Sequence, residues 1–203
     1  KNLYTSDSVK AVPAGYVTDE NGNVTISTAE GLRYFAEQIA VKDGFRGKTV
    51  KLTANIDLTE AWTMATAPFY GTFDGEGHTI SNMNVTGHYL VSGSSVYGLG
   101  FFGSVISATI KNVTFNGAFV NGYNYTNVVG IVSGYTYGNP TFENVHVVDS
   151  AVAGFGKVGG MVGMAADSGK ITIKNCSVTS TSITGTYNVA DFCGNSQGPC
   201  NIS

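Results

Sequence analysis

The chain has 203 residues, enough for one domain with a sizeable core and too few for two large ones. Its net charge of −3, with charged residues at 12% and only two arginines, Arg33 and Arg46, excludes the basic surface that nucleic acid or anionic lipid would need. No apolar run reaches the ~18 residues of a membrane span, so no membrane insertion is expected.

Solubility here comes from Ser, Thr, Asn and 27 Gly rather than from ion pairs, a pattern that suits many short strands joined by tight turns. From the N-terminus, Tyr16 to Ile26 reads as a hairpin around Asn21-Gly22. Ser27-Thr28-Ala29-Glu30 has the spacing of a capping box. Leu32, Phe35, Ala36 and Ile39 then recur at helical spacing, which predicts one amphipathic helix to about Val41. Residues 1–48 are therefore expected to form a hairpin and a capping helix, and residues 49–203 to form coils beginning at Thr49-Val50-Lys51-Leu52.

The coils are expected from a repeat. Gly98 to Phe102, Val128 to Val132, Val158 to Val162 and Val189 to Cys193 align, with Phe101, Ile131, Met161 and Phe192 spaced by 30, 30 and 31. A second unit alternates with it. Its asparagines are Asn82, Asn112, Asn144 and Asn175, with steps of 30, 32 and 31 and Asn55 as an earlier member. Residues two before each Asn (Ile80, Ile110, Phe142, Ile173), one after (Met83, Val113, Val145, Cys176) and three after (Val85, Phe115, Val147, Val178) are apolar or thiol. A plain strand alternates with period two, so the phase slips at the Asn. A bend through the left-handed backbone region, which Asn tolerates, explains the slip. Stacked coils would place these amides in a ladder, with Ser81, Lys111, Glu143 and Lys174 pointing to solvent beside it. The expected fold is all-β, a parallel β-helix of about 30 residues per coil with one N-terminal capping helix.

Within this frame the chemistry is sparse. Asp74-Gly75-Glu76-Gly77-His78 could place three ligands on one strand face, but its alternating glycines mark a structural corner instead. Three histidines and three cysteines show no catalytic or zinc spacing, so no catalytic residue, metal site or cofactor is expected. Cys176 reads as a buried free thiol, while Cys193 and Cys200 either pair or stay reduced. Tyrosines cluster in the segments between the repeats. Tyr123 and Tyr125 in one coil, Tyr135 and Tyr137 in the next, are the candidate ligand-binding residues, with rings on one side and Asn and Thr as hydrogen-bonding neighbours. The last residues, Cys200 to Ser203, match Pro140 to Glu143, so the expectation is either a piece of a longer protein or a contact, from a neighbouring chain or a disordered tail, covering the C-terminal coil.

Phe69 to Asn82, together with Gly159-Gly160-Met161-Val162-Gly163 followed by Ile173-Lys174-Asn175-Cys176, resembles bacterial surface proteins with GLUG-type repeats and a pectin-lyase-like β-helix. Ser27 through Leu58 and Trp62 resembles the segment that precedes such repeats. The resemblance implies right-handed coils and a secreted or cell-surface bacterial location. It implies a non-catalytic adhesin or glycan-contacting module, with a glycan or a host or cell-surface protein as partner. The alternatives are a polysaccharide lyase or glycosidase and a structural spacer. After residue 80 the four acids, Glu143, Asp149, Asp167 and Asp191, fall in different columns, which disfavours the enzyme.

Overall fold

A computed structural model of the chain describes residues 10–87, 98–123, 128–166 and 169–203. The core is a parallel β-solenoid, with matching residues of successive coils about 31 apart, as Phe142 and Ile173 are. Each full coil visits four sheets in turn. Sheet I holds Thr109–Asn116, Thr141–Val148, and the pair Ile171–Lys174 and Ser177–Thr179. Sheet II holds Asn84–Thr86, Phe119–Asn121, Ala151–Ala153 and Ser182–Thr184. Sheet III holds Val128–Gly130, Lys157–Gly159 and Asn188–Ala190. Sheet IV holds Phe102–Ile106, Ser133–Tyr137, Val162–Ala165 and Cys193–Ser196.

The N-terminal segment is continuous with sheet I. Tyr16–Thr18 and Val24–Ile26 form the expected hairpin, with Tyr16 opposite Ile26. Asp19 closes its turn by accepting the backbone N–H groups of Asn21 and Asn23, both at 2.8 Å. Val24–Ile26 then pairs in parallel with Thr49–Leu52, which pairs with Thr72–Asp74. The helix spans Ala29–Val41 as expected, but its cap is one residue later than the capping-box reading. Thr28, in extended conformation, accepts the N–H of Gly31 at 3.0 Å. Its buried stripe of Leu32, Phe35, Ala36 and Ile39 closes the end of the core. Phe35 sits there among Phe45, Phe69, Phe73 and Phe102 at ring separations of 5.2 to 6.3 Å.

The asparagine corners exist, and the structure corrects which residues share them. Asn112, Asn144 and Asn175 have φ of 54°, 52° and 52°. They follow Lys111, Glu143 and Lys174, which stack in register. Asn144 Nδ2 donates to Asn112 Oδ1 at 3.1 Å. Asn82 is not in this column. Seven steps from Phe73 to Ile80 face only five from Ile110 to Phe115, because the Asp74–His78 corner carries the excess. Ser81 therefore pairs with Asn116, and Asn82 stands with Gly117, Asp149 and Ser180 in a second column. All four of those residues also have positive φ, from 48° to 65°. Asn55 is also off the ladder: Ile56 pairs with Ile80, and Asn55 Oδ1 accepts the N–H of Thr79 at 2.9 Å. Met83 accordingly takes the level of Ala118, and Val85 stacks on Val120.

The solvent-facing charges beside the ladder do alternate. Lys111 neighbours Glu143 in register, and Lys174 Nζ lies 3.7 Å from Glu143 Oε1. Such exposed pairs add at most about 1 kcal/mol each and are surface features, not a site.

Between sheets III and IV the chain turns sharply, and the structure corrects the expected alignment by one residue: Val129 pairs with Val158 rather than Gly159, and Phe102 and Val162 pair with Ser133 rather than Val132. Leu99, Val129, Val158 and Val189 stack, and Phe101, Ile131 and Met161 are buried beneath them. Gly100, Gly130 and Gly159 meet the backbone of Gly134, Gly163 and Gly194, each from the following coil. An added Cβ on Gly163 would lie 2.5 Å from Val129 N, and one on Gly194 2.7 Å from Val158 N. The glycines of the repeat are required because two backbones touch.

Candidate functional site

Two exposed aromatic surfaces emerge, and the candidate tyrosines divide between them. Sheet IV carries Tyr135 and Tyr137 on its outer face, two residues apart on one strand, so both rings project the same way. The rings stack at 6.4 Å and 25°, with Tyr137 46% exposed. Along the sheet, Tyr135 is flanked by Ser104 and Met164, and Tyr137 by Ile106.

Tyr123 lies elsewhere, at the corner between sheets II and III, contrary to the expectation of one shared side. Asn121 Oδ1 accepts its N–H at 2.9 Å, which sets the turn. Tyr125 is outside the described residues. The corner instead gains aromatics from the coils that follow. Gly122 N–H donates to Ala153 O, Gly154 N–H to Thr184 O, and Thr186 N–H to Phe155 O, which aligns the three turns. Tyr123, Phe155 and Tyr187, exposed by 49%, 38% and 69%, thus recur at one corner. Phe155 and Tyr187 meet edge to face at 5.5 Å. Exposed Thr186 and Asn188 flank Tyr187 with hydrogen-bonding groups. The signal for Phe155 was present in the sequence as even steps of 32 from Tyr123 to Phe155 to Tyr187.

A third arrangement is polar. The asparagine ladder runs on past its amides in both directions. Below, Asn112 Nδ2 donates to Asp74 Oδ1 at 3.0 Å, an oxygen that also accepts the N–H of Glu76 at 2.9 Å. Lys111 Nζ stands 3.9 Å from the other Asp74 oxygen. Above, Asn144 Oδ1 lies 2.9 Å from His146 Nε2, and His146 Nδ1 lies 2.6 Å from Ser177 Oγ. His146 and Ser177 are register partners on adjacent coils, both half-buried. Nothing in the linear spacing announced this contact, because its partners lie one coil apart. The Asp74–His78 segment itself is a turn, with Glu76 and Gly77 at φ of 52° and 82°.

All three cysteines are free thiols. Cys176 is half-buried rather than fully buried, and its Sγ donates to Phe142 O at 3.4 Å. Burial pushes the Cys193 thiol up to about 11 and raises Cys176 as well, so neither is a thiolate at neutral pH. Among the described residues no cluster of three or more His, Cys, Asp or Glu is placed to hold a metal ion. Among them too, no helix is long and apolar enough to cross a membrane.

No protein-family model matches the chain. It is 32% identical over 179 positions to halomucin from Haloquadratum walsbyi, an alignment covering 79% of this chain and 2% of that protein. Its fold is similar to the crystal structure of a candidate immunoglobulin A1 protease from Bacteroides ovatus. That match has a TM-score of 0.61 at 19% identity, and spans 91% of this chain and 65% of the other. At that identity the likeness concerns the fold alone.

Proposed function

We propose that this chain is a β-helix module of a secreted or cell-surface protein, and that it contacts glycans through its exposed aromatic rings. The observation that carries this reading is the corner where Tyr123, Phe155 and Tyr187 recur on three consecutive coils beside Asn and Thr side chains. Rings held by a rigid stack lose little entropy when a ligand arrives, and their faces suit the C–H side of a sugar. Neighbouring amides and hydroxyls then fix the orientation of the sugar's own hydroxyls. The Tyr135–Tyr137 pair on sheet IV provides a second surface of the same chemistry. Similarity to a protein named as a mucin supports the surface placement.

The test is a glycan array followed by titration calorimetry on the retained sugars. Tyr187→Ala and Tyr137→Ala are each expected to weaken binding at their own surface by about tenfold, the equivalent of ~1.4 kcal/mol. Both residues are exposed, so stability should move by no more than about 0.5 kcal/mol. A chain that retains no sugar, or a double variant that binds undiminished, would leave the module as a structural spacer.

A further inference from the structure

We infer that Ser177 is a base-activated nucleophile that takes short acyl groups from esters. The inference rests on the direction of one hydrogen-bond chain. Asp74 offers only acceptor oxygens, so Asn112 must present its amide nitrogen to it, as the 3.0 Å contact shows. Asn112 Oδ1 is thereby turned upward and accepts from Asn144 Nδ2 at 3.1 Å. Asn144 Oδ1 is turned upward in its turn, and a carbonyl oxygen can only accept. His146 Nε2, 2.9 Å away, must therefore carry the ring proton. Nδ1 of the neutral imidazole is then a bare acceptor, and the group 2.6 Å from it is the Ser177 hydroxyl. The carboxylate at one end of the ladder thus selects the tautomer at the other. Serine, imidazole base and a carbonyl that orients the base are the parts of an activated hydroxyl.

The step balances without a cofactor. Ser177 Oγ attacks the acyl carbon of an ester as its proton passes to His146 Nδ1. The tetrahedral adduct collapses, and the departing alkoxide takes that proton and leaves as an alcohol. Water then attacks the Ser177 ester, giving its proton to Nδ1; collapse returns the proton to Oγ and frees a carboxylic acid. Asn144 Oδ1 faces the imidazolium that forms transiently. Ser177 and His146 are the reacting groups, whereas Asn144, Asn112 and Asp74 are positioning residues. Around Ser177 the outer face of sheet I carries Thr114, Asn116 and Thr179. That surface is open and polar, so the fitting substrates are short acyl esters of polar alcohols rather than long-chain lipids.

General-base assistance alone contributes about 10²–10⁴-fold. The full chain treated with a fluorophosphonate probe, and separately with 4-nitrophenyl acetate, should therefore be modified at Ser177 about 100-fold faster than at exposed Ser182 or Ser180, as read by peptide mass mapping. Nitrophenolate should continue to be released after one equivalent, because the acyl group hydrolyses. Ser177→Ala removes the adduct. His146→Gln brings Ser177 down to the rate of the other serines, and Asp74→Asn lowers it several-fold through the ladder. Added imidazole should restore part of the rate to His146→Gln, which a merely structural histidine would not permit. Equal labelling of Ser177, Ser180 and Ser182 in the unmodified chain would overturn the assignment without recourse to any variant. So would an undiminished rate in His146→Gln.

Discussion

Gly134→Ala is expected to lower the unfolding free energy by about 3 kcal/mol or more, and Gly134→Val to abolish folding. The Cβ that either residue adds would be driven into the backbone of Gly98 and Leu99 on the coil below. Overpacking ordinarily costs about 1–3 kcal/mol because neighbouring side chains move aside. Here the neighbours are main-chain atoms held by backbone hydrogen bonds, Leu99 N–H donating to Val128 O at 3.0 Å and Gly98 N–H to Gly103 O at 2.9 Å. They cannot retreat without breaking the stacking of coils. Gly77→Ala provides the control. Gly77 has φ of 82° but nothing within reach of an added Cβ, so only left-handed strain of about 1–2 kcal/mol is expected. Urea unfolding of the two alanine variants separates the mechanisms. Equal losses would show that the two backbones do not touch.

Phe35→Ala should cost about 3–5 kcal/mol. Its ring is fully buried and touches aromatics from three successive layers, Phe45 below, Phe69 and Phe73, then Phe102. In a chain of this size each kcal/mol lowers Tm by roughly 2–4 °C, so the midpoint should fall by about 10 °C. A solenoid is stabilised mainly by contacts between neighbouring coils, so the damage should be local before it is global. Amide exchange is expected to accelerate at Val50 to Asp57 while Val158 to Ala190 changes little. Uniform acceleration would instead mean that the helix and the far coils unfold as one unit.

How much of this was legible beforehand depended on whether a residue's partner lay in its own coil. The sharp turn between sheets III and IV takes three steps from Leu99 to Phe102 but four from Val129 to Ser133, so spacing found the buried Phe101, Ile131 and Met161 yet set Val129 against Gly159, where Val158 stands. The asparagine column failed at its lower end for a definite reason. The excess residues of the Asp74–His78 corner shift everything after them, and Asn82 then mimics a ladder asparagine by sharing its positive φ. A bend tolerated by Asn is also tolerated by Gly, Asp and Ser, as Gly117, Asp149 and Ser180 demonstrate, so residue type alone could not tell one corner from the other. The helix cap slipped by one because Ser27 and Thr28 are chemically equivalent caps, and only backbone geometry selects Thr28. At the candidate sites, tyrosines drew attention as residues, but their grouping required knowing which corner each occupied. His146 and Ser177 were invisible to motif reading because they stand 31 positions apart, one full coil.

The register across the Asp74–His78 corner decides most of these assignments, and cysteine cross-linking measures it directly. In a background with Cys176, Cys193 and Cys200 changed to Ser, Ser81→Cys with Asn116→Cys should oxidise rapidly. Those residues are register partners on adjacent strands, within the ~4.4–6.8 Å Cα separation that a disulfide accepts. Ser81→Cys with Lys111→Cys should remain reduced, since Lys111 pairs with Asp74 instead. Rapid cross-linking of the second pair and not the first would place Asn82 beneath Asn112 and contradict the arrangement described above.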